Sequence, residues 1–181
     1  MKDVIIIGAG TAGLTAAIYA LRAGKSVLVL EQSSYGGQII NTPQVENYPG
    51  IERISGYEFA SGLFRQAEKL GMEYRNEKVT DIREEENREA AGGKSGKIVE
   101  TTERNYRAKA VILATGAKNR PLGIEKEAEF IGRGISYCAT CDGMFFRGKK
   151  VAVVGGGNTA LEDAAFLSNY CEKVYLVHRR E

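Results

Sequence analysis

The chain has 181 residues, 43% of them apolar and 27% charged, with 25 Lys and Arg against 23 Asp and Glu and three cysteines. A formal charge of +2 without a basic block excludes an electrostatic footprint for nucleic acid, and 22 Gly and 3 Pro without a strict period exclude collagen-like and low-complexity chains. No apolar run approaches the ~20 residues of a membrane span, and Met1-Lys2-Asp3 leads into a strand pattern without a signal peptide, so the expected compartment is the reducing cytoplasm.

Val4 to Ile7 is β-branched and apolar throughout, the pattern of a parallel strand buried on both faces. A glycine-rich turn follows, then Leu14, Ala17, Ile18 and Leu21 at helical spacing, a capping position at Gly24, and a second buried strand over Ser26 to Leu30. This is one βαβ unit. Residues 33–50, with Gly36, Gly37, Pro43, Pro49 and Gly50, read as a long functional loop. Tyr57 to Leu70 reads as a helix ending at Gly71. Residues 78–84 and 97–102 read as a hairpin with a polar tip from Glu85 to Gly96, and Ala110 to Ala114 as another buried strand closed by Thr115-Gly116. A second βαβ unit runs through the Lys149 to Val154 strand, the Gly155 to Gly157 turn, the Asn158 to Asn169 helix and the Lys173 to Val177 strand.

Gly8-Ala9-Gly10-Thr11-Ala12-Gly13 fits G-x-G-x-x-G between a buried strand and a helix. There the first glycine permits the tight turn, the second lets the backbone approach a pyrophosphate, and the third lets helix and strand pack closely. Glu31, at the end of the second strand, stands where an acid accepts ribose hydroxyls. The bland alternative is a glycine-lined turn with a surface acid. The second fingerprint is Gly155-Gly156-Gly157-Asn158-Thr159-Ala160. The place that Glu31 holds in the first unit falls on His178, followed by Arg179 and Arg180. A carboxylate there would repel a 2′-phosphate, whereas guanidinium groups grip one with paired charge-assisted hydrogen bonds. The second site is thus expected to take NADPH, and the first a nucleotide with a free 2′-hydroxyl, such as FAD.

Cys138-Ala139-Thr140-Cys141 lies between the fingerprints. A structural zinc site needs four ligands, and beyond this pair only Cys171 and His178 remain, so no metal is expected. A thioredoxin fold would place the pair early in its own βα unit. The reading left is a redox-active disulfide working between two bound dinucleotides, in which a thiolate attacks. Asp142 fits either a proton donor to a leaving thiolate or a plain turn with Gly143. Cys171 reads as a packed small hydrophobe.

CATCDG between two fingerprints, together with VENYPG (45–50), ATG (114–116), GGGNTALEDA (155–164) and HRRE (178–181), resembles the bacterial low-molecular-weight thioredoxin reductases over the whole chain. The resemblance implies an α/β chain of two Rossmann-like dinucleotide-binding domains, residues 1–116 for FAD and 117–181 for NADPH. It implies a homodimer passing electrons from NADPH through FAD and the Cys138–Cys141 disulfide to thioredoxin. Gly8, Gly10, Thr11, Ala12, Gly13, Glu31 and Gln32 would hold the FAD pyrophosphate and adenosine ribose, and Val79 would sit near the adenine. Gly36, Gly37, Gln38, Thr42 and Asn47 would lie by the ribityl and flavin, with Thr115 and Gly116 completing that pocket. The second fingerprint, Gly155 to Ala160, with His178, Arg179 and Arg180 would hold NADPH. Cys141 would exchange electrons with the flavin, Cys138 would attack the thioredoxin disulfide, and Asp142 would act as acid. The family also swings one domain against the other, with a joint expected near Ala117 to Arg120.

Family members are longer, so both domains are expected to be incomplete here, with weak FAD binding and no turnover of NADPH and thioredoxin by the chain as it stands. Robust thioredoxin-dependent NADPH oxidation by the purified chain would overturn that. The competing readings are a flavoprotein reductase with another partner, in a peroxide-reducing or ferredoxin-dependent system, and a non-catalytic nucleotide-binding fragment. The HRR cluster speaks against the ferredoxin branch and the intact cysteine pair against the fragment.

Overall fold

A computed structural model describes residues 1–84 and 96–179. The expected hairpin tip, but for Gly96, and Arg180 lie outside the described residues. The chain divides into two compact units, Met1–Ala117 and Lys118–Glu181. Among the described residues no helix is long and apolar enough to cross a membrane.

In the first unit the strands are β1 (Lys2–Ile7), β2 (Val27–Glu31), β3 (Glu73–Asn76), β4 (Val79–Glu84), β5 (Lys97–Thr101) and β6 (Asn105–Leu113), and the helices are α1 (Thr11–Arg22) and α2 (Gly56–Lys69). They build one sheet in the order β3-β2-β1-β6-β5-β4. β2 lies parallel to β1 and β3, and β6 lies parallel to β1, while β4-β5-β6 is an antiparallel meander. The period-2 alternation of β1 divides its isoleucines between two cores. Ile6 faces Leu14, Ala17 and Ile18 of α1 and Ala67 of α2, and Ile5 and Ile7 face Val99 and Ala108 from the meander. Each isoleucine so buried contributes ~1.5–3 kcal/mol relative to exposure.

The first βαβ unit forms as its periodicity requires: α1 and β2 match within a residue at either end, and β1 starts two residues earlier than expected, at Lys2. α2 begins at a capping box: Ser55 Oγ accepts from the Glu58 amide at 3.2 Å while the Glu58 carboxylate accepts from the Ser55 amide at 3.3 Å. The Ser55 hydroxyl, and then its amide, hold the Glu58 carboxyl below its ordinary range.

Three features depart from the sequence expectation. The loop over 33–50 contains a 3₁₀ turn, Gly37–Asn41, and a bridge from Val45 to Ile54. β3, sequence EYRN, has no apolar alternation and is set by parallel pairing of Glu73 to Leu28. The strand expected over Ala110 to Ala114 runs over Asn105–Leu113, because its polar first half pairs with β5. Leu113 is 67% exposed rather than buried, since nothing in this unit covers that end of the strand among the described residues.

The second unit contains α3 (Glu127–Phe130), α4 (Ala139–Asp142), a 3₁₀ turn Gly143–Phe146, β7 (Lys150–Val154), α5 (Asn158–Ser168) and β8 (Lys173–Val177). β7 and β8 pair in parallel, Val151 to Val174 and Val153 to Leu176, and α5 buries Leu167. Val154, Tyr175 and Val177 remain about half exposed on this two-stranded sheet.

Candidate functional site

In an open α/β sheet a ligand lies outside the carboxyl ends of the strands, where the strand order reverses. In the first unit that point falls at β1, between β2 and β6. A cleft of about 120 Å³ opens there, lined by Ile7, Gly8, Leu30, Glu31, Gln32, Glu77, Val79 and Thr115. Five of these residues, Gly8, Glu31, Gln32, Val79 and Thr115, are ones the sequence singles out.

The three fingerprint glycines have separable roles. Gly8 has φ +104°, and a Cβ there would lie 2.2 Å from the Ala114 carbonyl oxygen. A Cβ at Gly13 would lie 1.9 Å from the Gly8 carbonyl oxygen, so α1 could not approach the turn. At Gly10 a Cβ would meet no atom within 4 Å, and the backbone there is in the ordinary extended region. No side chain caps α1, so its first amides, at Thr11 and Ala12, are open to an anion. The Glu31 carboxylate accepts from the Ala9 amide at 2.9 Å and the Ser33 amide at 3.1 Å. It thereby ties the end of β2 to the glycine turn and keeps lone pairs over for ribose hydroxyls.

The long loop is brought to the same turn. Gly36 donates to the Ala9 carbonyl at 2.7 Å, and a Cβ on Gly37 would stand 3.2 Å from the Gly10 Cα. The Gln38 amide group donates to the Ala117 carbonyl. Thr42 caps the 3₁₀ turn through its own amide, Gly116 adopts φ +68°, and Asn47 is exposed; none of the three lines the cleft.

Glu77 is the residue that sequence reading missed. It is only 7% exposed and accepts from the Thr101 hydroxyl at 2.7 Å and the Tyr106 hydroxyl at 2.8 Å, with Arg104 Nε 3.7 Å away. Burial pushes its carboxyl up, but the two hydroxyls and the arginine outweigh burial and hold it below the ordinary range. Because the folded carboxyl is the stronger acid, its stabilising contribution is full above about pH 4.3 and fades as pH falls through the folded value. Glu77→Gln is therefore expected to lower stability by ~1–3 kcal/mol near neutrality and to flatten the acid limb. Thermal melts of parent and variant down the acid range check this; parallel curves would remove Glu77 from the account.

In the second unit the Gly155-Gly156-Gly157 turn leads from β7 to α5, which also lacks a side-chain cap. Gly155 has φ +154° and donates to the Val177 carbonyl at 3.0 Å. His178 lies across this turn: a Cβ at Gly156 would stand 2.1 Å from its imidazole Cδ2. Asn158, Thr159 and Arg179 are exposed, and Ala160 packs against Gly155.

Cys138 and Cys141 are joined as a disulfide. Cys138 is the N-cap of α4, and its Sγ accepts from the Cys141 amide at 3.3 Å. The Asp142 carboxylate accepts from the Ser136 hydroxyl at 2.6 Å. The preceding segment is anchored by Glu127, 7% exposed, whose carboxylate takes the Tyr137 hydroxyl and the amides of Leu122 and Gly123, the latter two at 2.8 Å. The Tyr137 hydroxyl, and then these amides, hold the Glu127 carboxyl low. Cys171 is a free, half-buried thiol that donates to the Phe146 carbonyl at 3.4 Å.

Two strand-turn-helix glycine turns and a disulfide within one chain match what comparison with known proteins finds. The sequence pattern of the pyridine nucleotide-disulphide oxidoreductases matches residues 2–181. The chain is 48% identical to thioredoxin reductase of Bacillus subtilis over 179 residues, 99% of this chain and 54% of the relative. The crystal structure of thioredoxin reductase from Streptococcus pyogenes superposes with a TM-score of 0.88 at 46% identity, covering 100% of this chain and 56% of that one. A ferredoxin-flavin thioredoxin reductase from Clostridium acetobutylicum superposes with a TM-score of 0.54 at 33% identity, covering 99% of this chain and 60% of that one. The chain spans about half the length of the curated relatives it matches. With the family pattern extending over essentially every residue and both glycine turns in the expected strand-turn-helix setting, the chain belongs to the pyridine nucleotide-disulphide oxidoreductase family.

Proposed function

We propose that this chain carries the first part of an NADPH-dependent thioredoxin-disulfide reductase, with FAD in the first unit, NADPH in the second, and Cys138–Cys141 as the redox disulfide. The observation that carries the reading is the closed disulfide at the start of α4, with an acid next to it, in a chain that also holds two capless glycine turns. Bound FAD would supply two-electron transfer between the nicotinamide and the disulfide. The chain's own residues bind and orient. The open space over Gly10 and the bare N-terminus of α1 suit a pyrophosphate, while Glu31 and Gln32 suit the adenosine ribose and Val79 the adenine edge. Gly36 and Gly37, packed on the glycine turn, and Gln38, bonded to the Ala117 carbonyl, place the loop alongside, and Thr115 lines the cleft. In the second unit Arg179, and with it Arg180, would hold the 2′-phosphate. His178 lies over Gly156, a position from which it would reach the phosphates.

Sequence identity to named thioredoxin reductases supports thioredoxin as the partner, and a cytoplasmic homodimer goes with the same resemblance. The cation cluster favours a phosphorylated nicotinamide nucleotide over a ferredoxin as electron donor. Titration of the purified chain with FAD, followed by flavin fluorescence, tests the first unit. Saturable binding weakened by about 10-fold or more in Glu31→Ala, equivalent to ~1.4 kcal/mol, is the expected result. Equal affinity in the two proteins would remove the ribose role. Anaerobic NADPH added to the flavin-loaded chain separates nucleotide binding from electron transfer through the visible absorbance.

A further inference from the structure

We propose that Ser136 is a positioning residue for the disulfide chemistry, holding the carboxylate of Asp142 in place with a hydroxyl that is itself anchored by the backbone amide of Cys138. The inference rests on the reading of Cys138–Cys141 as a redox disulfide. Ser136 stands two residues before the first cysteine, and its hydroxyl is bound on both sides. It accepts from the Cys138 amide at 3.1 Å and donates to Asp142 Oδ2 at 2.6 Å. The Cys138 carbonyl lies farther off, at 3.2 Å. One hydroxyl carries one proton, and the nearer, charged acceptor takes it.

The result is a closed loop, Ser136 to Cys138 to α4 to Asp142 and back to Ser136. It fixes the carboxylate against the N-terminal end of the disulfide segment. Without the hydroxyl, Asp142 turns about its side-chain bonds and spends less time where it can serve a sulfur. The neighbouring Tyr137 makes a different kind of contact. Its hydroxyl runs to the buried Glu127, away from Asp142, and anchors the segment as a whole.

The chemistry can be followed without flavin or nicotinamide. Dithiothreitol reduces the disulfide: the dithiol gives up two electrons and two protons and closes its own ring, and the S–S bond of Cys138 and Cys141 opens to two thiols. The two protons released by the dithiol end on the two cysteine sulfurs, one of them relayed through the Asp142 carboxylate, which picks it up and passes it to a departing thiolate, so the balance holds.

The test is the rate of this reduction in the full chain, measured from about pH 5 to about pH 9. Ser136→Ala is expected to slow it by about 10-fold and Asp142→Asn by at least as much, within the coupling range of contacting residues. The double variant is expected to be no more than about 2-fold slower than Asp142→Asn alone. Ser136→Thr restores the parent rate and pH profile, and Tyr137→Phe lowers the melting temperature without changing the profile. Should Ser136→Ala fail to fold, Ser136→Gly enters the same cycle. A parent-like rate in Ser136→Ala, slowing that multiplies with that of Asp142→Asn, or failure of Ser136→Thr to restore the profile would overturn the proposal. Asp142→Asn at the parent rate would overturn it too, by removing the acid. A parent chain whose disulfide yields no thiol pair to dithiothreitol would instead bring down the redox reading beneath it.

Discussion

Gly13→Ala is expected to lower the melting temperature of the first unit by about 10 °C or more and to abolish flavin binding, whereas Gly10→Ala melts like the parent and loses only affinity. The added methyl at residue 13 has nowhere to go: its nearest neighbour is a backbone oxygen at 1.9 Å, and no side-chain rotation can relieve that. Either α1 lifts off β1, exposing Leu14, Ala17 and Ile18, or the Gly8 turn opens. Overpacking of this kind costs ~3 kcal/mol or more, and each kcal/mol moves the melting point by several degrees in a domain of this size. At Gly10 the added methyl meets no protein atom and the backbone is one that alanine adopts freely. The methyl instead occupies the approach of a pyrophosphate and is expected to reduce FAD affinity by about 10-fold or more, ~1.4 kcal/mol. Differential scanning calorimetry and FAD titration of the two variants decide the matter. If Gly10→Ala is the one that melts early, the division between packing glycine and phosphate glycine is wrong.

Cys138→Ser is expected to reduce the transfer of an electron pair to an external disulfide by at least ~1000-fold, the scale of losing a nucleophile, while Cys141→Ser arrests halfway. On the proposed roles, the Cys138 thiolate of the reduced parent would attack an external disulfide, forming a mixed disulfide and releasing one thiolate. The Cys141 thiolate would then attack the Cys138 sulfur, close the internal bond and release the second. The Cys141 amide, which donates to Cys138 Sγ in the disulfide, is the reason for expecting Cys138 to act first, because a negatively charged sulfur gains more from that donor than a neutral one. Mass spectrometry after reaction with oxidised thioredoxin reads the outcome. A covalent adduct in Cys141→Ser and none in Cys138→Ser is expected; the reverse pattern would exchange the roles of the two sulfurs.

The glycine turns, the two βαβ units and the cysteine pair were legible in the chain because each is a local pattern. Val4 to Ile7 must be buried on both faces, and G-x-G-x-x-G opening a helix has few other uses. What was not legible depends on partners far along the chain. β3 is four polar-rich residues that become a strand only by lying beside β2, and β6 grows toward Asn105 only because β5 is there to pair with it. Glu77 looks like one more surface acid until the sheet brings Thr101, Arg104 and Tyr106 to it. Ser136 is two residues from a cysteine, yet its partner Asp142 is reached only once the segment turns through α4.

The amino-acid sequence by itself determined the family, the two glycine turns that open helices and the cysteine pair, since residue type and short spacing specify these. Only the tertiary structure decided which glycine is packed and which is open, how Glu31 is tied to the turn, that His178 lies over Gly156, and which hydroxyl holds the acid. Those depend on distances between atoms that the chain order does not contain, and in a close-packed interior a difference of an ångström separates a contact from a collision.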